Sequence, residues 1–275
     1  MGDPGPHTAA PRRTVSIVLA AAIVLLTGAC GGSSGRPELV IGVAASLGPL
    51  FEELGASFAD RLEIDVTIVP SASGTLAHQI EQGAPIDVYV SADVSFVGRL
   101  QEQGLLEADT ATIFGEGMVV VVRPHEPASG RTALSELLVK ADRVAIANPE
   151  IAPYGAAAKA LIEANGLWDD IEPRVVYGES AMQVLQYVKA GAVDFGFVPL
   201  TLLVNGEEGV ERMEHDLPTA IPNGLLSNTA AVVSASLRER EARLFLAFLG
   251  GTEARAAIDR SGLYVVEHLG VLKGG

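Results

Sequence analysis

The sequence predicts an α/β protein whose mostly parallel sheets form two lobes. Three observations carry that expectation. Short β-branched runs alternate with segments of helical periodicity along most of the chain. The junctions from strand to helix hold Ser, Gly and Pro rather than long polar loops. At 275 residues the chain is large for one core and natural for two.

The first residues read as a leader, not as fold. Arg12 and Arg13 precede an apolar run from Val15 to Leu26, and Leu26-Thr27-Gly28-Ala29-Cys30 closes it. A basic region, a short apolar region and small residues before a cut are the marks of a secretory signal. The run is too short to span a bilayer comfortably. Cys30 is the single cysteine of the chain and follows small residues directly. The arrangement resembles a bacterial lipoprotein signal, with 1–29 removed and Cys30 becoming the lipidated N-terminus. That implies export across the cytoplasmic membrane and anchoring on its outer face or in the periplasm. Residues 30–37, with Gly31-Gly32-Ser33-Ser34-Gly35, read as a flexible tether. Beyond Cys30 no thiol remains for a disulfide or for cysteine chemistry.

The folded elements follow in order. Leu39 to Ala44 reads as a buried strand, and Ala45-Ser46-Leu47-Gly48-Pro49 leads into a helix marked by Leu50, Leu54 and Phe58. Pro49 suits a first helical position, where its missing N–H costs nothing. Ile64, Val66 and Ile68 alternate as a strand. Ser71, Ser73 and Thr75 then cluster at the start of a helix on Leu76, Ala77 and Ile80, with Ser73 as the expected cap. Val88 to Ala92 is a strand, and Asp93 caps a helix from Val94 to Gly104. Gly117 to Val122 is a β-branched strand. Leu134 to Ala141 is helical, Val144 to Ala147 a strand, and Asn148 to Gly155 a loop. Ala156 to Asn165 is a helix stopped by Gly166. Val175 to Tyr177 is a strand, and Gly178-Glu179-Ser180 opens a helix through Val188. Strands at Val193–Val198 and Leu225–Val233 precede helices around Glu239–Leu249 and Thr252–Ser261. Leu134, Leu137 and Leu138, like Leu244, Phe245 and Phe248, form helical stripes expected in the core.

Ligands of open α/β sheets sit beyond the C-terminal ends of strands, where helices begin. By that rule the candidate turns are Ala45-Ser46, Ser71 to Thr75, Pro153-Tyr154-Gly155 and Glu179-Ser180-Ala181. A hydroxyl-rich turn at a helix start is a ready anion site, because first-turn N–H groups lack intrahelical partners and the dipole favours negative charge. If the middle of the chain forms the second lobe, the four turns face one another across a cleft. The runs near Val119–Val122 and Leu225–Val233 are the candidate strands that cross between lobes. The lobes are then expected at 38–119 with 220–275, and at 120–219.

Net charge is −15 at pH 7. Such acidity argues against nucleic acid and anionic membrane surfaces as partners. It does not exclude a small anion in a closed site built from dipoles, since distant surface charge is screened within about 8–10 Å. An enzyme reading lacks its parts. His7, His78, His125, His215 and His268 are scattered, and no Gly-x-Ser-x-Gly elbow or phosphate loop with Lys is present. Asp87 and Asp93 read as a strand entry and a helix cap. Paired tyrosines for iron(III) are missing, since Tyr89, Tyr154, Tyr177, Tyr187 and Tyr264 are dispersed. No Arg stands at a cleft turn to take an amino-acid carboxylate; Arg123 and Arg143 lie at strand edges and read as surface residues.

Taken together, Ala44-Ala45-Ser46-Leu47, Ser73-Gly74-Thr75-Leu76-Ala77-His78-Gln79-Ile80, Gly83-Ala84-Pro85-Ile86-Asp87-Val88 and Ser91-Ala92-Asp93 resemble the molybdate-binding proteins of ABC importers. Asn148-Pro149-Glu150, Ala152-Pro153-Tyr154-Gly155 and Gly196-Phe197-Val198 continue the likeness in the same order. The resemblance implies a type II periplasmic-binding-protein fold with two crossover strands. It implies a monomer that closes on molybdate or tungstate and delivers the ion to a permease driven by an ATPase, with no cofactor and no resident metal. Ser46 and Ser73 fall where that family places hydroxyl and backbone N–H contacts to the oxyanion. Tyr154 falls on the contact of the Pro-Tyr-Gly turn, and Ala181 where a backbone N–H of the second lobe reaches the ion. Ala45, Thr75 and Ser180 are additional candidates. Some members carry a Tyr after the Gly-x-Val of the later strand; Pro199 stands there in this chain, and Tyr154 is the expected substitute. Sulfate or another tetrahedral oxyanion is the alternative ligand, and a non-transport lipoprotein of the same fold the alternative role.

Overall fold

The computed structural model describes residues 1–2, 36–125, 134–204, 206–213, 226–264 and 270–271. The leader's apolar run, Cys30 and the tether as far as Gly35 lie outside these residues, as do His7, His215 and His268. The fold belongs to the body that begins at Arg36.

Its strands, in chain order, are β1 (Glu38–Ala44), β2 (Asp65–Ser71), β3 (Val88–Ser91), β4 (Thr112–Gly117), β5 (Val119–Pro124), β6 (Val144–Ala147), β7 (Val175–Gly178), β8 (Phe195–Pro199), β9 (Val210–Arg212), β10 (Leu226–Val232) and β11 (Gly270–Val271). The helices are α1 (Gly48–Leu62), α2 (Ser73–Glu81), α3 (Val94–Glu102), α4 (Leu134–Lys140), α5 (Pro153–Ala164), α6 (Trp168–Ile171), α7 (Ala181–Lys189), α8 (Glu239–Leu249) and α9 (Thr252–Arg260). One sheet runs β11-β4-β10-β3-β1-β2 and the other β7-β6-β8-β5-β9. This is a two-lobed α/β fold.

Both sheets are mixed, which corrects the expectation of mostly parallel ones. In the first, β1 pairs parallel with β2 and β3, while β10 and β11 pair antiparallel with their neighbours. In the second, β6 pairs parallel with β7 and β8, while β5 pairs antiparallel with β8 and β9. The parallel pairs come from strands joined through helices. The antiparallel pairs involve strands at or near the passages between lobes, which enter a sheet from its far end.

The crossing itself differs from the sequence expectation. Val119–Val122 lies wholly in the second sheet and Leu226–Val232 wholly in the first. Met118 alone separates β4 from β5, so the chain changes sheets at one residue. Residues 214–225, between Met213 and Leu226, lie outside the described residues.

Burial explains why these segments settle as they do. Phe51 of α1, Phe114 of β4 and Phe245 of α8 are fully buried, with Phe51 and Phe114 edge to face at 5.5 Å and Phe58 against Phe245 at 5.1 Å. These ring pairs hold α1 and α8 on the first sheet. Leu244, expected in the core, is exposed; Ala242, Phe245, Leu246 and Leu249 form the buried face instead. Leu138 is buried as expected, whereas the side chains of Leu134 and Leu137 fall outside the described residues. Arg123 is only 12 % exposed and forms an ion pair with Glu211 of β9 at 2.9 Å, so it is not a free surface residue.

Candidate functional site

Three of the four turns named from the sequence line one cleft of about 670 Å³; the fourth, Pro153-Tyr154-Gly155, does not, and the loop before it does. Ala45, Gly48, Pro49 and Glu52 line it from the β1–α1 junction, and Pro70, Ser71, Ala72 and Thr75 from the β2–α2 junction. Asn148 and Ile151 come from the loop before α5, and Glu179, Ser180 and Met182 from the β7–α7 junction. The two lobes therefore face each other across it. Among the described residues its lining includes no Lys, Arg or His, and its charged groups are the carboxylates Glu52 and Glu179.

Ala45, Thr75 and Ser180 lie on the cleft wall, whereas Ser46, Ser73, Tyr154 and Ala181 are buried behind it. Ser46 sits in a single 3-10 turn, Ala45–Leu47, between β1 and α1. Ser73 corrects the sequence expectation. The cap of α2 is Ala72, and Ser73 is the first helical residue. Its hydroxyl is turned inward, where it accepts from the Ala92 N–H at 3.2 Å. Tyr89 donates to the Ser73 carbonyl at 2.8 Å from beneath. A fully buried serine held at both its carbonyl and its hydroxyl fixes the first turn of α2 on the sheet. Burial pushes the Tyr89 phenol above its ordinary range, so it remains a donor.

In the second lobe, α7 begins with a Ser-x-x-Gln box. Ser180 accepts from the Gln183 N–H at 3.3 Å, and the Gln183 side chain takes the Glu179 N–H at 2.6 Å. Ala181 is the first residue of that helix and is buried.

Helix α5 starts at Pro153, three residues earlier than the sequence suggested, because a proline is well placed at N1. Gly155 belongs to the same turn and presses on the end of β6. A Cβ there would stand 2.0 Å from the Ala147 carbonyl oxygen, so only glycine permits this approach. Tyr154, between them, extends from the second lobe into the first sheet. Its hydroxyl occupies the space a Gly117 side chain would fill, 1.9 Å from the ideal Cβ position. Asn228 of β10 lies alongside, its amide nitrogen donating to the Gly115 and Leu226 carbonyls at 3.3 and 3.1 Å. Tyr154 Oη, Asn228 Oδ1 and Thr229 Oγ1 are buried without a hydrogen-bond partner among the described residues. Burial pushes the Tyr154 phenol well above the usual tyrosine range; the neighbouring Asn228 amide opposes this without making a geometrically good bond.

Two contacts across the cleft escaped the sequence reading. The Gly74 N–H, in the first turn of α2, donates to the Ile151 carbonyl of the second lobe at 2.8 Å. The Thr201 hydroxyl, just after β8, donates to the Ser46 carbonyl at 2.8 Å. The loop that presents Ile151 is held by Asn148, whose carbonyl accepts from Ile151 and Ala152 and whose side chain accepts from the Glu150 N–H. The Asn-Pro-Glu run was the available signal for that turn. Asp93 caps α3 and Asp87 binds the Val40 N–H and the Ser236 hydroxyl, so neither carboxylate serves the cleft. His78 is exposed beside Glu81.

Known proteins share this architecture and up to about a third of their residues over most of the chain. The chain is 30 % identical over 233 residues to the molybdate-binding protein ModA of Rhodobacter capsulatus, covering 84 % of this chain and 89 % of that one. It is 30 % identical over 260 residues to a Bacillus subtilis protein, YvgL, named as a provisional ABC transporter substrate-binding lipoprotein; the match covers 90 % and 96 % of the two. Among solved structures, the periplasmic molybdate-binding protein of Azotobacter vinelandii superposes with a TM-score of 0.72 at 26 % identity, over 83 % of this chain and all of that one. Residues 39–264 match the family model described as bacterial extracellular solute-binding protein. The cleft lies between two lobes and is walled by helix starts, and this chain belongs to the bacterial extracellular solute-binding protein family.

Proposed function

We propose that this protein is an extracytoplasmic receptor that captures molybdate between its lobes and delivers it to an ABC permease and its ATPase. The observation that carries the reading is a cleft between the lobes, walled by strand-to-helix turns and lined by no cation among the described residues, with the Tyr154 hydroxyl buried behind it and without a hydrogen-bond partner among those residues. An orphaned buried hydroxyl costs about 1–3 kcal/mol, which an acceptor oxygen would remove. The molybdate-binding names of the Rhodobacter and Azotobacter relatives support the choice of ion.

The donors assigned to the oxyanion are the hydroxyls and N–H groups of Ser46 and Ser73, the Tyr154 hydroxyl and the Ala181 N–H. Ala45, Thr75 and Ser180 stand next to them. Neutral donors of fixed geometry select by cavity size and oxygen spacing, where a cationic site would attract any dianion. At neutral pH phosphate carries a proton for which an all-donor site has no acceptor. Sulfate carries none and is separated by size. Tungstate matches molybdate in charge and nearly in size, and binds by the same contacts.

The receptor is a monomer, with lobes at 38–118 plus 220–275 and at 119–219, the first boundary moved one residue from the sequence expectation because Val119 pairs within the second sheet. It is tied to the membrane through lipid on Cys30, a reading supported by the lipoprotein name of the Bacillus relative. Calorimetric titration of the chain from Gly31 onward with molybdate, tungstate, sulfate and phosphate tests the function. Tight one-to-one binding of the first two alone is expected. Silence toward all four by folded protein overturns the reading.

A further inference from the structure

Thr201 lies outside every turn assigned to the ligand, yet it reaches that machinery from the opposite sheet. It follows β8 in a short 3-10 turn, which is anchored at the crossing by the Leu200 N–H donating to the Met118 carbonyl at 2.9 Å. Thr201 itself is buried. Its hydroxyl donates to the Ser46 carbonyl, 155 residues away in sequence, at 2.8 Å. That carbonyl belongs to a turn of three residues with no side-chain cap. Ser46 is buried at this junction, so loss of the Thr201 hydroxyl would leave its carbonyl without that donor.

We propose that Thr201 is a positioning residue for oxyanion binding. It touches no ligand; it holds the Ala45–Leu47 turn so that the Ser46 hydroxyl and N–H keep their direction, and it does so from the second sheet. The turn is therefore ordered best when the two lobes are together, which ties the aim of a first-lobe donor to closure. Removing the hydroxyl strips the closed state of a hydrogen bond that water supplies in an open one. The loss then falls on the bound complex and shows as faster release. The inference rests on the oxyanion reading above.

The test compares wild type, Thr201→Val and Thr201→Ser, using molybdate as the probe. Thr201→Val keeps the shape and removes the hydroxyl; about tenfold weaker binding is expected, carried by the dissociation rate. Thr201→Ser restores the hydroxyl and is expected to bind near wild-type strength. Ligand-free unfolding midpoints of the three should agree. Wild-type affinity in Thr201→Val overturns the proposal. So does Thr201→Ser binding as weakly as Thr201→Val, because methyl packing would then be the cause. Should Thr201→Val not fold, Thr201→Ala takes its place under the same criteria. Wild-type protein that ignores all four oxyanions overturns the function and this inference with it, whereas a wild-type protein that binds and a valine variant that matches it overturns this inference alone.

Discussion

Replacing Gly74 by Ala separates binding from stability in one substitution. Gly74 is the second residue of α2, and its backbone conformation is open to any residue. Ala is favoured over Gly in helices by up to about 1 kcal/mol, so the first lobe alone should be unharmed or slightly stabilised. Closure is another matter. The added Cβ would stand 2.8 Å from the Ile151 Cα and 3.0 Å from its carbonyl oxygen, both main chain of the opposite lobe. It would also meet the Phe96 ring edge at 3.0 Å, but that side chain can shift. Relief requires the lobes to part, which stretches the 2.8 Å bond from Gly74 N–H to Ile151. Overpacking of this kind costs about 1–3 kcal/mol, here borne by the closed form alone, so molybdate affinity should fall roughly 5- to 150-fold. Calorimetry gives the affinity, and thermal unfolding with and without ligand gives the two stabilities. The ligand-free midpoint should hold or rise while the ligand-induced increase shrinks. Wild-type affinity in Gly74→Ala would refute the claim that the bound state brings α2 and the Ile151 loop together.

Three further outcomes follow from the same geometry. Ser73→Ala removes a hydroxyl from the buried start of α2, and molybdate binding measured by calorimetry should weaken by about 1–3 kcal/mol; unchanged affinity would remove Ser73 from the site. Tyr154→Phe deletes a buried hydroxyl that has no partner among the described residues, so ligand-free stability should hold or rise while affinity falls about tenfold. A loss of stability without a loss of affinity would contradict this. The phenols of Tyr89 and Tyr154 are both pushed above their ordinary value by burial. Between the unfolded and folded values the native chain keeps protons that the unfolded chain releases, so their stabilising contribution is complete below about pH 10 and declines above it. Unfolding midpoints across alkaline pH should show that decline, and Tyr89→Phe should reduce its steepness.

Much of the fold was legible because local pattern and burial agree. The runs of β1, β3 and β6 are apolar because helices cover them, and the helix stops at Gly104 and Gly166 adopt the positive φ that glycine tolerates. Thr112–Gly117 gave no such signal. Its glycines and Glu116 break the alternation, and it is a strand because β10 and β11 flank it. Ser73 looked like a cap because composition at a helix start cannot tell N-cap from N1; the inward turn of its hydroxyl depends on Ala92, brought near by β3. Three of the turns that line the cleft were legible from the strand-to-helix rule. Gly74, Ile151 and Thr201 were not, because each finds its partner only after the two sheets are placed together.

The composition of the cleft wall also sets the rate at which it fills. Glu52 and Glu179 stand at the cleft, and the chain carries a net charge of −15. A dianion drifting toward this opening climbs an electrostatic hill before it meets the first donor. Most charged ligands are drawn in by their receptors and slowed by salt. For the proposed dianion the expected dependence is the reverse: added salt shortens the range of the repulsion and should speed capture. Under that reading discrimination among anions falls to the donors inside the cleft, because a negative mouth repels every dianion alike.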